Sequence, residues 1–377
     1  LRIEITSIKY IFNYEKFNIL NAGFVMITLL STIIVIGIIV FVHEFGHFAM
    51  AKLGGVIVEK FSIGFPPTIF KKKFGETEYA IGAIPFGGYV KLAGEDADRA
   101  DKPPRPGELS SRPRWIRALI MVAGPTMNFV LAVFLFWAII AFHGVGEMSH
   151  SPVVGGVVEG APADSAGIEP LDSIIAIDGT PINSWESLAR FVHARPEQEL
   201  AVEFLRGETR FTRTVIPARE EMMTDTGKVE VGLIGIQPNI AFEPMGVFRA
   251  IPASLILMGD VLTGMVDFFR KIFTAGIERG DIGGPILIAR MAGASARSGW
   301  ATFFFFLAAL SVNLGILNLL PLPALDGGQL VLIGVEALRR KPLSFKVRVA
   351  IQQVGFLIIV ALMLYVTFND IFMLFSR

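Results

Sequence analysis

The chain has 377 residues, 53% hydrophobic and 18% charged, with a mean hydropathy of +0.58. That balance is too apolar for an ordinary soluble domain and points to several membrane spans beside a soluble part. Thirty-four basic residues match 34 acidic ones, so nothing argues for nucleic acid, and the lack of cysteine excludes disulfides, cysteine-type zinc sites and thiol catalysis.

Residues 1–21 are a mixed, charged N-terminal extension with no recognisable cleavage site, so the run after them is expected to be a retained helix rather than a signal peptide. Ala22 to Val42 is uncharged and long enough to cross the hydrocarbon core. It leads into His43-Glu44-Phe45-Gly46-His47, so a first transmembrane helix over 22–54 carries H-E-x-x-H in its last turns, closed by Gly54-Gly55. Four helical residues turn through about 400°, which puts His43 and His47 within roughly 40° of each other. Two imidazoles so placed can bind one Zn²⁺, with Glu44 beside them as general base. The bland alternative is a chance match, roughly a one-in-a-hundred event for a chain this poor in histidine. Clustered ionisable groups at membrane depth also cost about 2.5–3.5 kcal/mol each, which favours the metal reading.

Residues 55–117 are too polar to span. Phe61-Ser62-Ile63-Gly64-Phe65 and Pro85-Phe86-Gly87-Gly88-Tyr89-Val90 read as short strands of a hairpin, either dipping to the membrane surface or standing as a plain cytoplasmic hairpin. Glu95 to Arg114 is a charged, proline-rich loop. A second span is expected over 118–142, containing Gly124-Pro125 and Asn128; the asparagine is either a site group or an interhelical hydrogen bond. Residues 150–218 read as a compact α+β domain, with strands around Val153–Val158 and Leu171–Ile177, a helix over Trp185–Ala194 and a hairpin turning at Arg206-Gly207. The stretch 219–298 reads as a linker with amphipathic or surface helices, since Asp260, Asp267, Arg270 and Lys271 interrupt it. A third span over 301–335 contains Asp326, and a fourth covers 349–368, making about four transmembrane helices in all.

Asp326 is the one acid buried in a later apolar run, and Pro321 and Pro323 before it break the helix, so it is the best third metal ligand. Asn313 and Asn318 on the third span either hydrogen-bond an extended substrate or pack against other helices. Lysines and arginines concentrate in 52–117 and 339–348, so both stretches are expected on the cytoplasmic side, with the compact domain opposite. This topology brings the His43 end of the first span and the Asp326 end of the third toward the same, cytoplasmic, leaflet.

Together these motifs resemble the site-2 protease family of intramembrane zinc metalloproteases, in particular the bacterial group that includes the regulator-of-sigma-E protease. The resemblance rests on His43–His47, Phe61–Phe65, Pro85–Val90, Gly124-Pro125-Thr126-Met127-Asn128-Phe129 and Asn318 through Gly328. It implies a polytopic α-helical membrane protein of a bacterial inner membrane with an inserted PDZ-like domain and a membrane-associated β-hairpin. It implies Zn²⁺ and cleavage of a single-span membrane protein in the lipid bilayer, for example an anti-sigma factor already trimmed by another protease. It further implies that the hairpin near Gly87, Gly88 and Tyr89 guides substrate as an added strand, and that the PDZ domain, through a ligand of its own, filters substrates. One PDZ-like domain is legible, where the best-known relatives carry two. The rivals are a catalytically silent PDZ-bearing scaffold, which has no need of Glu44, and a transporter, which predicts inverted repeats that the sequence lacks.

Overall fold

The computed structural model describes residues 22–94, 103–148, 150–224, 227–275 and 283–375. The N-terminal extension, residues 95–102 at the start of the proline-rich loop and residues 276–282 lie outside them. The chain divides into two units, one of Leu1–Ala141 with Gly246–Arg377 and the other of Phe142–Met245.

In the first unit, α1 (Ala22–Leu53) is a 32-residue helix without a charge until its motif; Gly55, at φ 70°, lets the chain turn away just past its end. Strands β1 (Val58–Phe74) and β2 (Thr77–Leu92) form a folded hairpin. Its register is doubled: Ser62 pairs with both Tyr89 and Ala80, and Ala80 pairs in turn with Lys71. Two long strands therefore lie as four antiparallel segments in the order 88–92, 58–63, 77–82, 68–74, with segment 88–92 as one edge. Helix α2 (Arg114–Phe142) starts four residues before the expected span and continues through Pro125. Residues 246–275 differ more: α5 (Ala250–Ala275; α3 and α4 are in the second unit) is one continuous helix, and its Ala250–Phe268 part is apolar enough to cross a membrane. Five helices among the described residues meet that criterion, one more than expected, because Asp260 and Asp267 are isolated acids in an otherwise apolar stretch.

Helix α6 (Pro285–Arg297) is followed by α7 (Trp300–Leu319), which stops six residues short of Leu325 because proline cannot continue it. The expected span over 301–335 is thus two helices: after the break, Asp326 opens α8 (Asp326–Arg339), and α9 (Phe345–Phe375) follows. Val35 and Ile39 of α1, Phe136 of α2, Ala292 of α6 and Leu307 and Val312 of α7 share one buried core.

Glu336 of α8 is 1% exposed and accepts from Arg117 (2.9 Å), the Leu343 amide (3.1 Å) and Arg348 (2.8 Å). Burial pushes its carboxyl up, but the amide and the two guanidinium groups outweigh it and hold it below the usual carboxylate range. A carboxyl depressed on folding stabilises above its unfolded pKa and loses that contribution as pH falls through its folded value. Glu336→Gln is expected to cost on the order of 3 kcal/mol by stranding two arginines. Melting curves should show the parent losing stability below about pH 4, with a weaker acid dependence in the variant; identical acid limbs would rule this out.

The second unit contains β3 (Val145–Met148), β4 (Val154–Val157), α3 (Pro162–Ser165), β5 (Ser173–Ile177), β6 (Thr180–Pro181), α4 (Trp185–His193), β7 (Leu200–Arg206) and β8 (Thr209–Val215). Strands β6-β5-β7-β8 make a four-stranded sheet over a core of Ile174, Ile177, Leu188, Val202 and Phe204. Ser184 caps α4 with a reciprocal Ser187 hydrogen bond. The unit extends past the expected end at 218 through β9 (Ala218–Thr224), β10 (Gly227–Leu233), β11 (Ile236–Pro238) and β12 (Ile240–Glu243). The last two return to pair with β4 and β3.

Candidate metal centre

All of the expected metal ligands meet in the first unit. Helical spacing puts the rings of His43 and His47 4.8 Å apart, with their Nε2 atoms separated by 3.2 Å. Asp326, delivered by the first residue of α8, brings its Oδ2 to 3.1 Å from His43 Nε2 and 3.5 Å from His47 Nε2. A tetrahedral zinc with bonds near 2.05 Å has ligand atoms about 3.3 Å apart, so the three distances fit one face of such a site.

The hydrogen bonds behind the rings fix which atoms are offered. His47 Nδ1 lies 2.7 Å from the Ile120 carbonyl oxygen, which can only accept, so Nδ1 carries the proton and Nε2 presents a lone pair. His43 Nδ1 lies 3.2 Å from the Asn128 amide group, whose buried oxygen has no other partner; with that oxygen turned to Nδ1, His43 adopts the same tautomer. Two imidazole lone pairs and a buried carboxylate oxygen that finds no donor then converge, an arrangement that a cation satisfies. Ser311 of α7 donates to the Asn128 carbonyl at 2.9 Å, tying α2 to α7 behind the site.

Backbone packing holds the ligands close. A Cβ on Gly124 would lie 2.3 Å from His47 Nε2, and one on Gly46 would lie 2.3 Å from the Ala123 carbonyl oxygen. Glycine at these two places lets α1 and α2 approach.

The open side faces a cleft of about 450 Å³ lined by Glu44, Gly87, Gly88, Tyr89, Asn318 and Leu325, among others. A Cβ added to Gly88 would lie 3.3 Å from Glu44 Cγ, so the edge segment 88–92 stands against the general-base candidate. Of the two asparagines expected at the substrate, Asn318 lines the cleft, whereas half-buried Asn313 does not. Five helical residues separate them by about 140°, too far round to share a face. Asn128 is the group that sequence reading left undecided, because either role needs the same polar atom in an apolar helix.

A histidine pair and a carboxylate beside a general-base candidate, set among long apolar helices, define the class as a metal-dependent hydrolase of the membrane. The model of Peptidase family M50 matches residues 31–362, and the chain belongs to that family, the site-2 proteases. A "putative zinc metalloprotease" of Agrobacterium fabrum is 34% identical, covering 93% of this chain and 97% of that one. Metalloprotease MmpA of Caulobacter vibrioides is 32% identical, covering 92% and 96%. The PDZ domain of an SdrC-like protein from Listeria monocytogenes is 19% identical with a TM-score of 0.20, covering 25% of this chain and 93% of that one; a likeness at that score decides nothing about the fold. The protein is a zinc metalloprotease.

Proposed function

We propose that this zinc metalloprotease cleaves single-span membrane proteins within or beside the bilayer of a bacterial inner membrane. His43, His47 and Asp326 hold the zinc, and Glu44 is the general base. The observation that carries the reading is the convergence of those three ligand atoms on a cleft shared by Glu44 and a sheet edge. Zinc, when bound there, polarises the scissile carbonyl and acidifies water. Glu44 takes the proton from the attacking water on its carboxylate and hands it to the leaving amine. The free edge at Gly87–Val90 aligns the substrate as an added strand, and Asn318 binds its backbone. The reading includes a filtering role for the PDZ-like second unit and an anti-sigma factor as an example of substrate.

The contact between His43 and Asp326 also bears on topology. If α5 alone crossed between α2 and α7, the end of α7 would emerge on the opposite side from the His43 end of α1, and Asp326 would not reach it. The chain between them must make no crossing or two, and α6, with 13 residues and a length of about 20 Å, is too short for a second. In the proposed arrangement four helices cross, with the basic segments and active site toward the cytoplasm and the second unit outside.

The test is cleavage of a single-span substrate by the purified full chain in detergent. Removal of zinc with a chelator should abolish cleavage and zinc return should restore it. Cleavage that persists in metal-free protein would sink the proposal.

A further inference from the structure

A second cleft of about 360 Å³ lies on the other side of α1, between that helix and the hairpin sheet. Phe41, Phe45 and Phe48 form its helix wall; at i, i+4 and i+7 they share one stripe, about 200° round from the histidines. Phe61, Phe70 and Tyr79 are among the residues that form its sheet wall. Phe61 packs edge-on against Phe48 at 5.2 Å and Phe41 at 6.0 Å, so the wall is closed at its base while Phe70 remains 57% exposed.

The cleft has a polarity along its length. Its inner row is Phe70, paired with Ile81, which also pairs with Ile63. The next row is Phe61 and Tyr79, with Lys72 directly across from Tyr79; Tyr79 lies 6.0 Å from Phe48, the member of the stripe nearest the Lys52 end of α1. Side chains alternate along a strand and face the same way across an antiparallel pair, so both rules put Lys72 on the cleft side with Phe70 and Tyr79. The neighbouring row, Lys60, Glu78 and Lys73, faces away; there Glu78 is engaged by Lys60 at 3.2 Å and by Lys71 at 3.7 Å. Lys72 is exposed and no carboxylate among the described residues pairs with it.

We infer that this cleft is a binding site for an anionic phospholipid, with an acyl chain between the phenylalanine stripe and the sheet and the headgroup phosphate at Lys72. The order of the rows matches a lipid at the membrane boundary: apolar wall toward the helix centre, a tyrosine at the transition, a cation toward the helix end. The lipid would brace the hairpin against the back of the helix that carries His43 and His47.

The experiment uses the delipidated full chain in neutral detergent, given dioleoylphosphatidylglycerol or dioleoylphosphatidylcholine, with bound lipid counted by native mass spectrometry. The parent should retain one phosphatidylglycerol at about fivefold lower concentration than phosphatidylcholine, the worth of one lysine at a charged surface. Lys72→Glu should remove that preference, and Ile81→Trp, which fills the apolar end, should lower retention of both lipids. Lys341→Glu, a basic residue away from the cleft, should leave the preference intact. Equal retention of the two lipids by the parent, a preference that survives Lys72→Glu, or the same loss in Lys341→Glu would each overturn the assignment.

Discussion

Glu44→Gln should retain a full complement of zinc while cleavage of a single-span substrate falls by about 10²–10⁴-fold, the usual worth of a positioned general base. The two halves of that expectation come from different parts of the geometry. Zinc retention follows because the converging group consists of His43, His47 and Asp326, without Glu44. The loss of rate follows because glutamine keeps the shape of the side chain, yet cannot accept a proton. Gly88 stands close to this side chain, since a Cβ added there would lie 3.3 Å from Glu44 Cγ. Zinc analysis and initial rates on the same preparation check both halves. A variant that cleaves within tenfold of the parent would remove Glu44 from the chemistry, and one that loses zinc would make it a structural residue.

The metal centre was legible in the sequence because each of its parts has a local signature. His43 and His47 declare themselves through helical spacing, and Asp326 through a charge that an apolar run does not otherwise tolerate. What escaped depends on non-local pairing. Nothing local after 218 signals that the second unit continues, because β11 is fixed by pairing with β4, some 80 positions earlier. The doubled register of the hairpin is hidden for the same reason, since no local pattern says that Ser62 has strand neighbours on both sides. Helix α5 was read as interrupted because Asp260 and Asp267 lower the local hydropathy, though neither breaks the backbone ladder. Asn128 and Gly124 were visible as oddities inside a span, but their meaning depends on how closely α2 approaches α1.

That approach gives the second large effect: Gly124→Ala should bind zinc about 10–100-fold more weakly than the parent, the range for disturbed support around ligands. The added methyl would sit 2.3 Å from His47 Nε2 and 2.9 Å from His43 Cε1, well inside contact distance of the atoms that face the metal. Neither obvious relaxation is open. Rotating His47 breaks the 2.7 Å hydrogen bond from its Nδ1 to the Ile120 carbonyl, which sets the tautomer that frees Nε2. Moving α1 away from α2 opens the contact at Gly46 and Ala123 and draws His43 off Asn128 as well. Gly37→Ala on the same helix as the histidines is the control, since nothing lies within 4 Å of the position where its Cβ would stand. It should keep zinc at the parent's affinity and gain slightly in helix stability. Competition with a chromogenic zinc chelator measures both variants. Equal zinc affinity for Gly124→Ala and the parent would mean that α2 does not press on the histidine pair and that its backbone does not shape the metal site.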